Sequence, residues 1–224
     1  MPSAESPLRG GPPATFVVFD SVTVRDASKS GWVIQRMGSD TASVFREASG
    51  FIGDRLHLST DGHTVVRRVE WAGEADYQLA LARHASSGAP ADMSGAPEIR
   101  GENTFRGWTA PGLHGPDPAA RPGVVVVATR HLRDAKSCTV LLELMAGSGD
   151  WKQRFPGFVS ATPHLGTDGR TFITYSAWVD DAAYKSWISD PRITSGQEAI
   201  ARLEVAPPEY QLCGIVPAAP SSRL

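Results

Sequence analysis

Ser49-Gly50-Phe51-Ile52, followed by His57-Leu58, Thr60-Asp61-Gly62, Thr64, Trp71 and Tyr77, reappears without a gap as Pro156-Gly157-Phe158-Val159, His164-Leu165, Thr167-Asp168-Gly169, Thr171, Trp178 and Tyr184. Such self-similarity marks an internal repeat, and it decides the fold, because whatever one copy forms the other must form too. The match extends upstream, where Arg25-Asp26-Ala27 pairs with Arg133-Asp134-Ala135 after a one-residue shift, and downstream, where Pro97-Glu98 pairs with Pro208-Glu209 after a short indel. The chain reads as two tandem copies of one module, at 14–110 and 123–217, joined by a linker at 111–122. A flexible N-terminal segment at 1–13 and a tail at 218–224 flank them.

Each copy reads as strand, helix, strand, hairpin, strand, helix, strand. The opening strands, over 15–24 and 124–131, are rich in Val and Phe, and each runs into an Arg-Asp-Ala segment able to start a helix. In copy two Cys138, Leu141, Leu142 and Met145 fall at helical spacing until Gly147-Ser148-Gly149 interrupts them; the first helix of copy one is less sharply patterned. Asp61-Gly62 and Asp168-Gly169 stand between extended runs and predict hairpins with type I′ turns, in which both central residues need positive φ. Helical spacing resumes after Trp71 and Trp178, and short strands over 99–108 and 210–216 close the copies. Segments 86–97 and 110–123, dense in Gly, Pro, Ala and Ser, read as loop and linker.

The order βαββαβ is the ferredoxin-like plait. A lone plait covers one sheet face with helices and must bury the other against a second sheet, which duplication supplies in the same chain. The expected fold is α+β, two tandem ferredoxin-like modules forming an intramolecular dimeric α+β barrel, a pseudo-dimer open to further oligomerisation.

Composition sets the outer bounds. With 41% hydrophobic and 21% charged residues in 224, the chain is ordinary globular material. A net charge of -2 leaves no basic excess to meet a phosphate backbone, so nucleic acid is not an expected partner. The N-terminus lacks an apolar core, and no stretch approaches the ~18 apolar residues of a membrane span; a cytoplasmic protein with no membrane partner is the expectation. Cys138 and Cys213 fit no CxxC spacing and read as buried free thiols. No HxxE, HxH or facial-triad spacing suggests a metal, and no GxGxxG or GxxxxGK[ST] motif suggests a nucleotide.

Side chains alternate across a strand, so Thr174, Ser176 and Trp178 share one face and are positioned to line a pocket, as are Arg67, Val69 and Trp71 in copy one. Trp71 and Trp178 can each donate an indole N–H to a substrate oxygen and offer a flat surface to a ring; large aromatics at strand ends also serve as core packing. The phenols of Tyr77 and Tyr184 can donate or accept, or their rings can pack inward. His57 and His164, repeated on the strand before each hairpin, are candidates to remove a phenolic or enolic proton, against a structural hydrogen bond. Because Arg67 stands where copy two has Thr174, the two cavities should differ, and copy two is the half favoured as active.

The stretch from Pro156 to Trp178, with Pro-Gly-Phe-Val-Ser, His164, Asp168-Gly169, Tyr175 and Trp178 at their spacings, resembles the signature of the antibiotic-biosynthesis monooxygenases of the dimeric α+β-barrel superfamily, and copy one carries a looser version. In quinone-forming members of that family a tryptophan ending the third strand works with a tyrosine six residues later and an asparagine four residues earlier. The resemblance carries the first two roles onto Trp71 with Tyr77 and Trp178 with Tyr184. The asparagine position holds Arg67 in one copy and Thr174 in the other. The haem-degrading branch has a histidine ten residues after the tryptophan, where Leu81 and Ile188 stand here, so haem cleavage is disfavoured.

The resemblance implies an oxygenase acting with O2 on a phenolic polycyclic aromatic polyketide, by quinone formation or by oxidative ring opening. The catalytic set would be drawn from Trp178, Tyr184, His164, Trp71, Tyr77 and His57, with Arg67, Thr174 and Ser176 contacting substrate. No cofactor is bound by motif, and the ring-opening branch would take reduced flavin, FADH2 or FMNH2, from a partner reductase. A non-redox polyketide cyclase of the same fold and a non-catalytic aromatic-ligand binder are the rival readings.

Overall fold

The computed structural model describes residues 14–86, 93, 95–147 and 150–217. The N-terminal segment 1–13, the tail 218–224, most of the loop read at 86–97 and two residues of the Gly147-Ser148-Gly149 interruption lie outside the described residues. The chain divides into two compact units, one running to Arg106 and resuming at Gly214, the other Gly107 to Cys213.

The first unit holds β1 (Phe16–Val24), α1 (Ser30–Asp40), a π-helical turn (Thr41–Phe45), β2 (Phe51–Ser59), β3 (Thr64–Trp71), α2 (Glu74–Ser86) and most of β4 (Ile99–Thr109), with its strands in the order β4-β1-β3-β2. The second holds β5 (Leu113–His114), β6 (Val124–His131), α3 (Ala135–Gly147), α4 (Asp150–Gln153), β7 (Phe158–Gly166), β8 (Thr171–Trp178), α5 (Asp181–Ile188), α6 (Pro191–Ala201) and most of β9 (Glu209–Ile215), in the order β9-β6-β8-β7-β5. Both are βαββαβ plaits. The segment read as linker at 111–122 carries β5, which pairs with β7, and the end of β4 joins that sheet too, Thr109 opposite His164.

Local chemistry explains the shared frame. Asp26 and Asp134 cap the turns that open the first helical layers by accepting from the backbone N–H groups of Ser28 (2.9 Å) and Ser137 (2.7 Å), as the repeated Arg-Asp-Ala segments imply. Gly50 and Gly157 are both left-handed, with φ of 75° and 78°, and their carbonyls take the N–H groups of Ala72 and Val179 at the strand ends. The hairpins fall where the Asp-Gly pairs place them, but the turns are not type I′. Only Gly62 and Gly169 have positive φ, and their N–H groups donate to the carbonyls of Ser59 (2.8 Å) and Gly166 (3.0 Å). Asp61 and Asp168 have no positive φ, and their carboxylates accept from the backbone N–H groups of His63 and Arg170.

The first-unit core gathers Val22, Val24, Val33, Met37, Val65 and Ile99 under α1. The second unit has one cluster around Leu132, Leu141 and Phe172 and another around Phe155, Phe158 and Trp178. Cys138 and Cys213 are buried thiols that form no disulfide.

Candidate active site

Strand register decides which candidates meet. In β3 the residues Arg67, Val69 and Trp71 lie opposite Asp20, Val18 and Phe16 of β1, so these six share the face that α1, the π turn and α2 cover. His57 lies opposite Val66, and Arg55 opposite Arg68, which places His57 on the other face. The same holds in the second unit, where His164 lies opposite Ile173, the neighbour of Thr174 on the reverse face. The expected grouping of the histidines with Trp and Tyr is therefore corrected: a one-residue step along a strand reverses the side. Burial, and then the charges of Arg68 and Arg55, push the His57 imidazole down to about 4, and His164 Nδ1 is 3.2 Å from the Thr109 hydroxyl. Both are fully buried.

Trp and Tyr do meet, identically in both halves: the rings of Trp71 and Tyr77, and of Trp178 and Tyr184, lie 5.8 Å apart at 57°. What surrounds them differs. Trp178 donates its indole N–H to Ser176 Oγ at 3.1 Å, and the Thr174 hydroxyl points to Met145 Sδ at 3.8 Å. Ser176 and Thr174, expected to contact substrate, are thus engaged within the protein. Trp151, Phe155, Phe158 and Trp187 pack around Trp178, with Trp187 5.3 Å from it and stacked on Trp151 at 5.0 Å. Burial and the neighbouring Tyr210 push the Tyr184 phenol up to about 12.

In the first unit Trp71 is wholly buried, its ring set edge-on against Phe45 (5.5 Å) and Phe51 (5.6 Å), and its N–H has no hydrogen-bond partner among the described residues. Leaving a buried donor unpaired costs about 1–3 kcal/mol, a cost usually met by an internal acceptor or by a ligand. Two replacements explain the contrast. Val69 stands where the second unit has Ser176, removing the internal acceptor, and Ala80 stands where it has Trp187, removing the bulk beside the indole. Both signals were in the repeat alignment.

Charge is concentrated here as well. Arg67 is buried, donates from Nε (3.2 Å) and NH2 (2.7 Å) to Asp20 Oδ2 and from NH1 to the Met37 carbonyl (3.3 Å), and its guanidinium sits 5.3 Å from the Phe45 ring centroid. Asp20 Oδ1 accepts from the Thr104 hydroxyl at 2.9 Å. The Tyr77 phenol is raised by burial against the opposing hydrogen bond from Arg106 Nε (3.3 Å), which leaves the phenolic hydrogen free to donate. A polar cleft of about 120 Å³ opens at the Arg67 end, lined by Asp20, Met37, Arg67 and Thr104 among others. It is smaller than the ~300 Å³ at which drug-sized ligand sites begin. Among the described residues no group of three or more His, Cys, Asp or Glu side chains is placed to hold a metal ion, and no helix is long and apolar enough to cross a membrane.

No family model matches the chain. Tetracenomycin-F1 monooxygenase of Streptomyces glaucescens is 35% identical over 71 residues, 32% of this chain and 56% of that protein, so the match spans about half of the relative's length. The crystal structure of an anthrone oxidase-like protein superposes with a TM-score of 0.76 at 15% identity, covering 91% of this chain and 92% of that one. A ferredoxin-fold protein of Listeria monocytogenes related to antibiotic biosynthesis monooxygenases superposes at 0.56, with 13% identity and coverage of 91% and 96%. The chain has the fold of the antibiotic-biosynthesis monooxygenases, carried in full length as two ferredoxin-like halves, and is similar in sequence to tetracenomycin-F1 monooxygenase.

Proposed function

We propose that the first unit is an oxygenase site for a phenolic fused-ring aromatic of the polyketide type, and that the second unit is its structural counterpart. The observation that carries this reading is the buried, unpartnered N–H of Trp71 beside Tyr77, set against the internally satisfied N–H of Trp178. The similarity to tetracenomycin-F1 monooxygenase supplies the reaction class.

O2 in its triplet ground state reacts with a closed-shell molecule only through one-electron steps, so the protein must make its substrate electron-rich. The donors Trp71 N–H and Tyr77 O–H, with the positive charges of Arg106 and Arg67 behind them, favour an enolate or phenolate over its neutral form. The proton goes to Asp20, whose Oδ1 accepts only from Thr104 among the described residues and keeps a second lone pair. The anion passes one electron to O2, the resulting carbon radical and superoxide combine to a peroxide, and the peroxide takes up the proton and loses water. In sum, one ring methylene and one O2 give one ring carbonyl and one water, with the methylene carbon oxidised by four electrons and O2 reduced by four. His57 has no part in this, being on the reverse face.

The test is oxygen consumption by purified protein with an anthrone, in the presence of a metal chelator and without added flavin. One O2 consumed per quinone formed, with one quinone oxygen labelled from 18O2, is the expected result. A cyclase would change the substrate without oxygen uptake, a binding protein would leave its mass unchanged, and activity appearing only with FADH2 or FMNH2 and a reductase would move the reaction to the flavin-dependent branch.

A further inference from the structure

The π turn holds a second buried polar atom that internal packing leaves unsatisfied. Thr41 is 2% exposed, and its Oγ1 has no hydrogen-bond partner among the described residues. A threonine in a regular helix returns its hydroxyl to the carbonyl four residues back. Here the Met37 carbonyl, four residues back, already takes both the Thr41 backbone N–H and Arg67 NH1, which uses its two lone pairs, and Thr41 is the residue from which the turn widens, its own carbonyl accepting from Arg46 N–H at 3.0 Å. Single π turns inside α-helices are frequent at functional sites because they displace a side chain that regular geometry would occupy otherwise.

Thr41 is tied to the proposed site by contacts already described. It shares the Met37 carbonyl with Arg67; the Arg67 guanidinium lies over Phe45, the last residue of the same π turn; and Phe45 packs edge-on against Trp71. Along β3, Arg67 and Trp71 are four residues apart, so their Cα positions are about 13 Å apart, a distance a linear fused-ring aromatic spans. The two unpartnered polar atoms thus belong to opposite ends of one layer between helices and sheet. One is a donor, and the other can donate or accept.

We propose that Thr41 is a specificity residue whose hydroxyl binds a second oxygen substituent, at the far end of the ring system from the oxygen held by Trp71. This rests on the first unit being the ligand site and narrows the substrate class to fused-ring aromatics oxygenated at both ends. The second unit has no π turn among its described residues, and α3 there is an ordinary helix to Gly147.

The test compares two probes, unsubstituted 9,10-anthraquinone and its 2,6-dihydroxy derivative, which carries one hydroxyl at each end of the ring system, by quenching of tryptophan fluorescence in wild type, Thr41→Val and Thr41→Ser, with a thermal melt of each. Thr41→Val should weaken the dihydroxy probe about 3- to 10-fold, the worth of one neutral hydrogen bond. It should leave the unsubstituted probe within about twofold, and Thr41→Ser should behave as wild type. Because the hydroxyl it removes is unsatisfied, Thr41→Val should melt at or above the wild-type temperature. Equal weakening of both probes, no weakening of either, or a lowered melting temperature with uniform loss would overturn the proposal and assign Thr41 to the architecture. Failure of wild type to bind either probe would overturn the site reading itself, and this proposal with it.

Discussion

Trp71→Phe is expected to lower kcat for the oxidation by on the order of 10² to 10³, about 2.7–4 kcal/mol, the range for removing one preorganised donor to a developing oxyanion. The substitution keeps an aromatic ring against Phe45, Phe51 and Tyr77 and deletes a buried indole N–H that has no hydrogen-bond partner among the described residues. Trp178→Phe deletes an N–H already given to Ser176, in a cluster closed by Phe155 and Trp187, so it should cost stability and leave kcat within a few fold. Steady-state oxygen uptake by both variants, with folding followed by circular dichroism, reads the difference. Equal losses would remove the asymmetry, and loss confined to Trp178→Phe would return activity to the second unit, the half the sequence favoured.

The second large effect concerns Asp20 and Arg67. Their side chains are only 19% and 11% exposed, and Arg67 gives two hydrogen bonds to one carboxylate oxygen. Asp20→Ala strands a guanidinium in an apolar layer against Phe45 and Met37, and should destabilise the protein by about 3 kcal/mol, the low end of the range for breaking a buried pair because neither partner is wholly enclosed. The repeat supplies the compensating change: Ala128 lies opposite Thr174 in β6 and β8 where Asp20 lies opposite Arg67 in β1 and β3. Asp20→Ala with Arg67→Thr should therefore recover more than half of the loss, giving a coupling energy of about 1.5–3 kcal/mol in urea unfolding of the four proteins of the cycle. Additive losses would mean that the pair is not a unit. The double variant should remain inactive, since it lacks the proton acceptor.

Where the sequence succeeded, it was because the evidence was local or doubled. The Trp-to-Tyr spacing, repeated at Trp71 and Trp178, matches a ring contact that is the same in both units. The hairpins fall at Asp61-Gly62 and Asp168-Gly169 because a glycine between two extended runs serves either turn type, and the Asp-Gly pair alone did not settle whether the aspartate takes positive φ as well. The histidines were misgrouped although the hairpin register was enough to separate them: a turn centred on 61 and 62 sets His57 opposite Val66, off the odd-numbered face of Trp71. The reading of Ser176 as a substrate contact followed the right face but not the shorter path, two residues along the strand, to Trp178. Other features were illegible for a physical reason. The Asp20–Arg67 pair depends on β1 lying beside β3, and the π turn at Thr41 on tertiary packing around Phe45; neither is encoded within a short window of sequence.

The central claim, that Trp71 keeps its N–H for a ligand while Trp178 has spent its own, can be read directly from the indole resonances of the six tryptophans in 15N-labelled protein, assigned by substitution. On titration with 1,8-dihydroxyanthraquinone, the account predicts that the Trp71 N–H signal shifts downfield and gains protection from solvent exchange, while the Trp178 signal stays in place, already shifted by Ser176 before the ligand arrives. A Trp71 signal that is downfield and protected in the free protein and unmoved by ligand, or a Trp178 signal that responds in its stead, would contradict it.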